Sequence, residues 1–219
     1  MYLRLSPDEE SIKDIFVSFF DAECSIERVR NAEESGFDAT AWERFIETGG
    51  PGMCLPESCG GGGADLTTAA IVANLLGTYV APIPFIEHVV AARLLASLDE
   101  SNANLPLLAT GEMIGSLALQ SLHDSTSAIV PAGAIANYII GLRGEEIVVA
   151  ENTTDASPLR NTANLPIARH NFDDAIVIAS GEEAQNAYLR AKSEWKALMA
   201  VALTGLGRKA VDIGVGYAK

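Results

Sequence analysis

Basic side chains are scarce in this chain of 219 residues, which has 15 lysines and arginines against 29 aspartates and glutamates. The formal net charge of −14 argues against a nucleic-acid-binding protein, because phosphate recognition needs clustered Lys and Arg. It also argues against binding to an anionic membrane surface. We therefore expect neither nucleic acid nor membrane among the partners.

Cysteine and histidine are equally rare, with three of each in the sequence. Their positions are Cys24, Cys54, Cys59, His88, His123 and His170. The spacing matches no zinc-binding pattern and suggests no Ser-His-Asp set, so no metal site is expected. Buried, reduced thiols in a cytoplasmic protein are the expectation.

Long apolar runs and a signal-peptide core are also missing. The N-terminus begins Met-Tyr-Leu-Arg-Leu-Ser-Pro and offers no apolar stretch of the required length. The most apolar segment, around residues 129–142, is interrupted by Pro131, Gly133 and Asn137 and is too short to span a bilayer. The expected location is the cytoplasm.

Glycine is concentrated in the run Gly60–Gly63, which could at first be taken for a phosphate-binding loop. No Gly-Lys-Ser/Thr follows it, and no clear strand leads into it, so both common nucleotide fingerprints fail. The run instead predicts a tight turn before a helix, with Asp65 as the N-cap.

Helical patterns fill the first half of the chain. Ser6-Pro7-Asp8-Glu9 predicts a helix start with a capping box. Six helices are expected before residue 111, starting near residues 7, 26, 38, 66, 85 and 102. Gly36 and Gly77 are expected to end the second and fourth, since glycine favours the left-handed position after a helix.

From residue 112 the pattern changes to short, apolar or β-branched segments bounded by turn residues. Six strands are predicted at about 114–120, 128–131, 138–142, 147–150, 165–168 and 175–178, with a hairpin turn at Gly144-Glu145-Glu146 between the third and the fourth. A helical pattern returns near residue 182 and continues to the end. The prediction is an α+β protein with an all-α domain (1–111), a small β-sheet or barrel domain (112–180) and the start of a C-terminal helical domain (181–219).

This order of elements, with several short motifs, resembles the acyl-CoA dehydrogenase family over essentially the whole chain. The motifs are Leu5 to Glu9, Gly36-Phe37-Asp38, Gly49 to Met53, Leu55-Pro56-Glu57 with Gly60-Gly61, Ala81 to Phe85, and Gly205 to Ala210. The resemblance implies FAD as cofactor and an acyl-CoA as substrate. It also implies 2,3-dehydrogenation, in which a glutamate takes the α-proton and the β-hydrogen leaves as hydride to the flavin.

The resemblance places the first flavin-contact loop at Leu117, Leu119 and Gln120, continuing to Ser125 and Thr126. Gln120 stands where the family usually has threonine. Backbone contacts from Leu117 and Leu119 do not depend on the side chain and would survive. The segment Ile129 to Ala132 takes the place of the second flavin loop, without its tryptophan or threonine.

The usual catalytic glutamate of the family would lie beyond Lys219. A minority of the family place the base early in the long helix instead, at a position that Trp195 occupies here. Glu194 is one residue away, a rotation of about 100° on a helix, so it is a weak candidate, and a solvated helix carboxylate is the alternative.

Two main functional hypotheses follow, with an acyl-CoA-binding module that holds no flavin as a third alternative. In the first, the chain is part of an FAD-dependent acyl-CoA dehydrogenase and needs a C-terminal bundle or a partner for activity. In the second, it is a non-catalytic, dehydrogenase-like subunit of a hetero-oligomer and no longer binds FAD itself. Both predict an oligomer, because an apolar helix face without its bundle would need a cover.

Overall fold

The computed structural model describes residues 4–122, 127–151 and 156–218. Within these residues the chain forms helices first, then strands, then one long helix, as the sequence predicts. The helices are α1 Pro7–Glu23, α2 Ile26–Asn31, α3 Ala39–Glu47, α4 Leu66–Tyr79, α5 Phe85–Leu98, α6 Leu105–Thr110 and α7 Glu182–Tyr217. The strands are β1 Gly115–Leu117, β2 Ser127–Val130, β3 Tyr138–Arg143, β4 Glu146–Glu151, β5 Ala168–Asn171 and β6 Ile176–Ser180.

The capping box predicted at the start of α1 is present. Ser6 Oγ accepts the Glu9 N–H, and the Glu9 carboxylate accepts the Ser6 N–H. The helix places Phe16 and Phe19 against Phe45 of α3, with ring centroids 5.7 and 5.4 Å from it. Aromatic packing of this kind anchors the core of the helical domain.

The glycine run is a tight turn whose amides are used by the chain itself. Gly61, Gly62 and Gly63 donate their N–H groups to the carbonyls of Pro56, Gly52 and Leu55. A Cβ at Gly61 would lie 2.2 Å from the Leu55 carbonyl oxygen, which explains the need for glycine there. Asp65 then caps α4 by accepting the Thr68 N–H, as predicted. These three amides are not free to bind a phosphate.

The predicted end of α4 at Gly77 is wrong, because the helix continues to Tyr79. Gly77 lies inside the helix where α7 crosses it. A Cβ on Gly77 would be 1.8 Å from the Ala202 carbonyl oxygen, and one on Gly205 would be 2.1 Å from that of Asn74. The two glycines let the helix backbones approach closely, which is a packing role that local sequence does not reveal.

Other predicted boundaries also shift. The first strand was expected at 114–120 but ends at Leu117, because after Ala118 the next bond to β3 is that of Leu122. The sixth helix was expected from residue 102 but begins at Leu105, because the Asn102 side chain accepts the Asn104 N–H and forms a turn before it.

The second helix was expected to reach Ser35 but α2 ends at Asn31, and hydrogen-bonded turns lead from there to Gly36. The fifth strand was expected at 165–168 and lies at 168–171, because the Asn161 side chain bonds both the N–H and the C=O of Leu165 and holds that residue in a loop.

The strands form two small sheets. The larger has the order β1-β3-β4-β6, in which β1 and β3 are parallel and the other pairs antiparallel. The turn between β3 and β4 contains Gly144 at φ +62°, in agreement with the predicted hairpin. The smaller sheet pairs β2 with β5.

His88 of α5 joins the helical domain to the first strand. Its Nδ1 accepts the Gly115 N–H at 3.2 Å, which leaves Nε2 to donate to the Leu108 carbonyl at 3.0 Å. The ring is fully buried, and Trp42 contacts it edge-on at 5.3 Å. Burial lowers the pKa of His88 from 6.5 to about 4, because the charged form loses its hydration.

This burial predicts a loss of stability on acidification. Since the pKa of His88 is lower in the folded state, its contribution is complete above pH 6.5 and declines as the pH falls toward 4. In urea unfolding across this range, His88→Gln should show a smaller decline than the unchanged protein, because glutamine can still donate to Leu108 and does not titrate. An identical decline in both proteins would contradict this role.

Candidate functional site

The residues just after β1 bulge away from the sheet. The Ala118 N–H donates to the Ile140 carbonyl at 2.9 Å, and the Leu122 N–H donates to the Leu142 carbonyl at 2.8 Å. Between these two anchors, the chain has three residues (119–121) opposite the single Gly141 of β3. We refer to residues 119–121 as the bulge.

The amides of the bulge make no hydrogen bond within the part of the chain that the structure describes. Gln120 is exposed, while Leu119 and Ser121 are half-buried. Three successive N–H donors at a partly solvated edge can bind a ligand that presents hydrogen-bond acceptors. The structure thus places two predicted contact residues, Leu119 and Gln120, in one stretch of unbonded amides.

The other predicted flavin-contact residues do not belong to the bulge. Leu117 lies in β1 with its side chain buried, in register with Ile140 of β3, two residues before the bulge. Ser125 and Thr126 lie outside the described residues. The Ser116 hydroxyl donates to the Pro131 carbonyl and so ties the start of the first loop to the segment 129–132. The two stretches that resemble flavin loops are therefore adjacent.

The interface between α5 and α7 contains a partly buried ion pair. Arg93 Nε and Nη2 donate to the two carboxylate oxygens of Glu194 at 3.0 and 3.2 Å. Only 26% of the Arg93 side chain and 17% of the Glu194 side chain are exposed. The hydrogen bonds and charge of Glu194 raise the pKa of Arg93. Glu194 therefore has a defined structural partner.

A second carboxylate at the same interface was missed at the level of sequence. The Trp195 indole N–H donates to Glu87 Oε1 at 3.3 Å, and burial raises the pKa of Glu87. Glu87 and Trp195 are 108 positions apart, so only the fold could reveal the pair. Trp195 thus directs its polar edge toward α5, at the position where some relatives are expected to carry a base.

The three cysteines are free and buried, as predicted. Among the described side chains, no group of three or more His, Cys, Asp or Glu is arranged to hold a metal ion. None of the helices within residues 4–122 and 156–218 combines the length and the apolar character needed to cross a lipid bilayer.

Comparison with known proteins identifies relatives of this fold and sequence. Residues 6–112 match the model of the acyl-CoA dehydrogenase N-terminal domain. The acyl-CoA dehydrogenase IpdE2 of Mycolicibacterium smegmatis is 27% identical over 218 residues, which cover 98% of this chain and 66% of that protein. Its namesake in Mycobacterium tuberculosis is 35% identical over 145 residues, covering 63% of this chain and 44% of that protein.

Solved structures show the same fold. The ChsE4-ChsE5 complex from Mycobacterium tuberculosis contains a chain that matches 100% of this one with a TM-score of 0.85, at 17% identity and over 68% of its own length. The present chain thus matches about two thirds of the length of the Mycolicibacterium smegmatis relative and of this structure, and 44% of the Mycobacterium tuberculosis IpdE2. Residues 6–112 thus match the N-terminal domain of the acyl-CoA dehydrogenase family, and the chain as a whole is similar to members of that family in sequence and in fold.

Proposed function

We propose that this chain takes part in the FAD-dependent 2,3-dehydrogenation of an acyl-CoA thioester, and that the bulge binds the flavin ring through its backbone amides. The observation that carries the proposal is the set of three successive amides, fixed at both ends by bonds to β3 and without a partner in the described chain. The ring of a flavin has carbonyl oxygens and nitrogens on one edge that accept such bonds.

The residues present fit part of what a flavin requires. The backbone donors of Leu119, Gln120 and Ser121 would hold the polar edge of the ring. Pro131 in the neighbouring segment offers neither an N–H nor a hydroxyl. Binding would therefore rest on the bulge more than on the second loop. When bound, FAD would supply the hydride acceptor.

The base for the α-proton is proposed to come from outside the described residues. A base must approach the substrate with a free carboxylate. Glu194 uses both of its oxygens on Arg93, and Glu87 accepts a bond from the Trp195 indole. A further segment of polypeptide or a partner chain would have to supply the base. The role of Glu194 is then to hold α7 against α5.

The alternative is a non-catalytic subunit that does not bind FAD and supports an active partner. Two observations favour it: Gln120 replaces the expected threonine, and Trp195 fills the helix position where a base could stand. One structural neighbour is a complex of two different proteins, ChsE4 and ChsE5. That complex shows how a chain of this fold can be part of a hetero-oligomer.

Both the flavin-binding proposal and the non-catalytic alternative predict association, because the second half of α7 is exposed and apolar. The exposed apolar side chains on this half are Leu203, Leu206, Val211, Ile213, Val215 and Tyr217. Bare apolar surface of this extent is uncommon on a monomer. We expect a homo-oligomer or a hetero-oligomer in light scattering. A monodisperse monomer at high concentration would count against both versions.

Titration with FAD distinguishes the flavin-binding proposal from the non-catalytic alternative. The purified protein, alone and with a co-expressed dehydrogenase partner, should take up FAD and show the flavin absorption bands. Gln120→Pro should weaken binding at least tenfold, because it removes one of the three amide donors. The matched control Gln120→Ala keeps the amide and should bind FAD as the unchanged protein does.

The FAD-binding results decide between the proposals. Equal binding by the proline and alanine variants would remove the bulge from the proposal. A protein that takes up no FAD in either form would support the non-catalytic subunit instead.

A further inference from the structure

A tyrosine of α7 holds the peptide unit from which the bulge departs. The Tyr188 hydroxyl donates to the Ala118 carbonyl, 70 positions earlier in the chain. Ala118 also donates its N–H to Ile140 of β3 at 2.9 Å. Both backbone polar groups of Ala118 are therefore bonded, one to the sheet and one to α7. Tyr188 is only 1% exposed, so this contact is dry.

The surroundings of Tyr188 explain why its hydroxyl reaches the strand. Ala184, Ala187 and Ala191 are buried on the same side of α7, and their small side chains let the helix lie close to the sheet. Burial raises the pKa of Tyr188, so the hydroxyl keeps its proton and remains a donor. A phenylalanine would fill nearly the same volume but would leave the Ala118 carbonyl without this partner.

We propose that Tyr188 is a positioning residue that fixes the bulge in the geometry needed to bind the flavin edge. This inference rests on the proposed function. A three-residue bulge with unbonded amides has conformational freedom, and binding a ligand would have to remove it. Fixing its first peptide unit in advance lowers that ordering cost and so strengthens binding. Tyr188 acts on the ligand only through Ala118.

The test compares two tyrosine-to-phenylalanine variants that each lose one hydroxyl hydrogen bond. Tyr188→Phe removes the bond to Ala118. Tyr79→Phe is the matched control, because Tyr79 donates to Asp21 at 2.7 Å within the helical domain. FAD binding is measured by flavin fluorescence, and backbone mobility by hydrogen exchange of residues 117–122 in the cofactor-free protein.

Tyr188→Phe should weaken FAD binding about tenfold, the loss expected for one hydrogen bond, and should speed exchange at Ala118 and Leu122. Tyr79→Phe should change neither. Tyr188→4-aminophenylalanine, which retains a donor on the ring, should restore both. This rescue distinguishes a loss of positioning from general destabilisation. It also provides a second test of the inference if the phenylalanine variant folds poorly.

Different results would overturn the inference about Tyr188 and the proposed function. If the unchanged protein binds FAD and Tyr188→Phe binds it equally well, the positioning role is wrong. Unchanged exchange of residues 117–122 in Tyr188→Phe would also overturn it, whether or not FAD binds. If the unchanged protein takes up no FAD, the proposed function fails and the inference about flavin binding fails with it.

Discussion

Gly77→Ala should lower the free energy of unfolding by about 3 kcal/mol, at the upper end of the usual cost of overpacking. The added Cβ would lie 1.8 Å from the Ala202 carbonyl oxygen, a backbone atom that cannot rotate away. The helices α4 and α7 would have to separate along their crossing. The better helix propensity of alanine returns only about 1 kcal/mol. Urea denaturation measures the difference.

Gly207→Ala is the control for this experiment. Gly207 lies in α7 two residues after Gly205, but no described atom lies within 4 Å of the Cβ that alanine would add. Alanine there should stabilise the protein by about 0.5–1 kcal/mol through helix propensity alone. If the two variants had the same stability, close approach of the helices would not be the reason for glycine at position 77.

Gly77 also shows what the sequence could and could not predict. Local signals placed the elements well: the capping box at Ser6, the Asp65 cap and the hairpin at Gly144 were all foreseen. Each depends on residues within a few positions. Gly77 was interpreted as a helix end because glycine commonly ends helices. Its partner Ala202 is 125 positions away, and no local pattern contains that contact.

The candidate site was likewise predictable from the sequence only in part. Resemblance to the family pointed to Leu119 and Gln120, but only the hydrogen bonds to β3 show that they form a bulge with unused amides. The partners of Tyr188 and Trp195 lie 70 and 108 positions away in the sequence. Both residues belong to α7, which was predicted as a helix without any indication of which neighbours it contacts.

Breaking the ion pair between α5 and α7 should have the other large effect. Arg93→Met should cost about 3 kcal/mol, because it leaves the Glu194 carboxylate without its partner in a site where only 17% of that side chain is exposed. Arg44→Met is the control. Arg44 pairs with Glu47, and both side chains are more than half exposed, so its loss should cost less than about 1 kcal/mol.

The double variant Arg93→Met with Glu194→Leu should recover most of the loss, since two apolar groups of similar size replace a buried pair without leaving a charge. A double-mutant cycle in urea measures the recovery. If Arg93→Met cost no more than Arg44→Met, the pair would not stabilise the interface between the helices.

A further variant, Glu194→Gln, tests the role of Glu194 in the proposed dehydrogenation. If Glu194 only holds α7 against α5, Glu194→Gln, which can still accept a bond from Arg93, should keep activity within about tenfold of the unchanged protein. Loss of a general base typically costs a factor of about 100 to 10,000 in rate. A rate loss in that range, with stability unchanged, would assign Glu194 to the chemistry and would place the base on α7 of this chain.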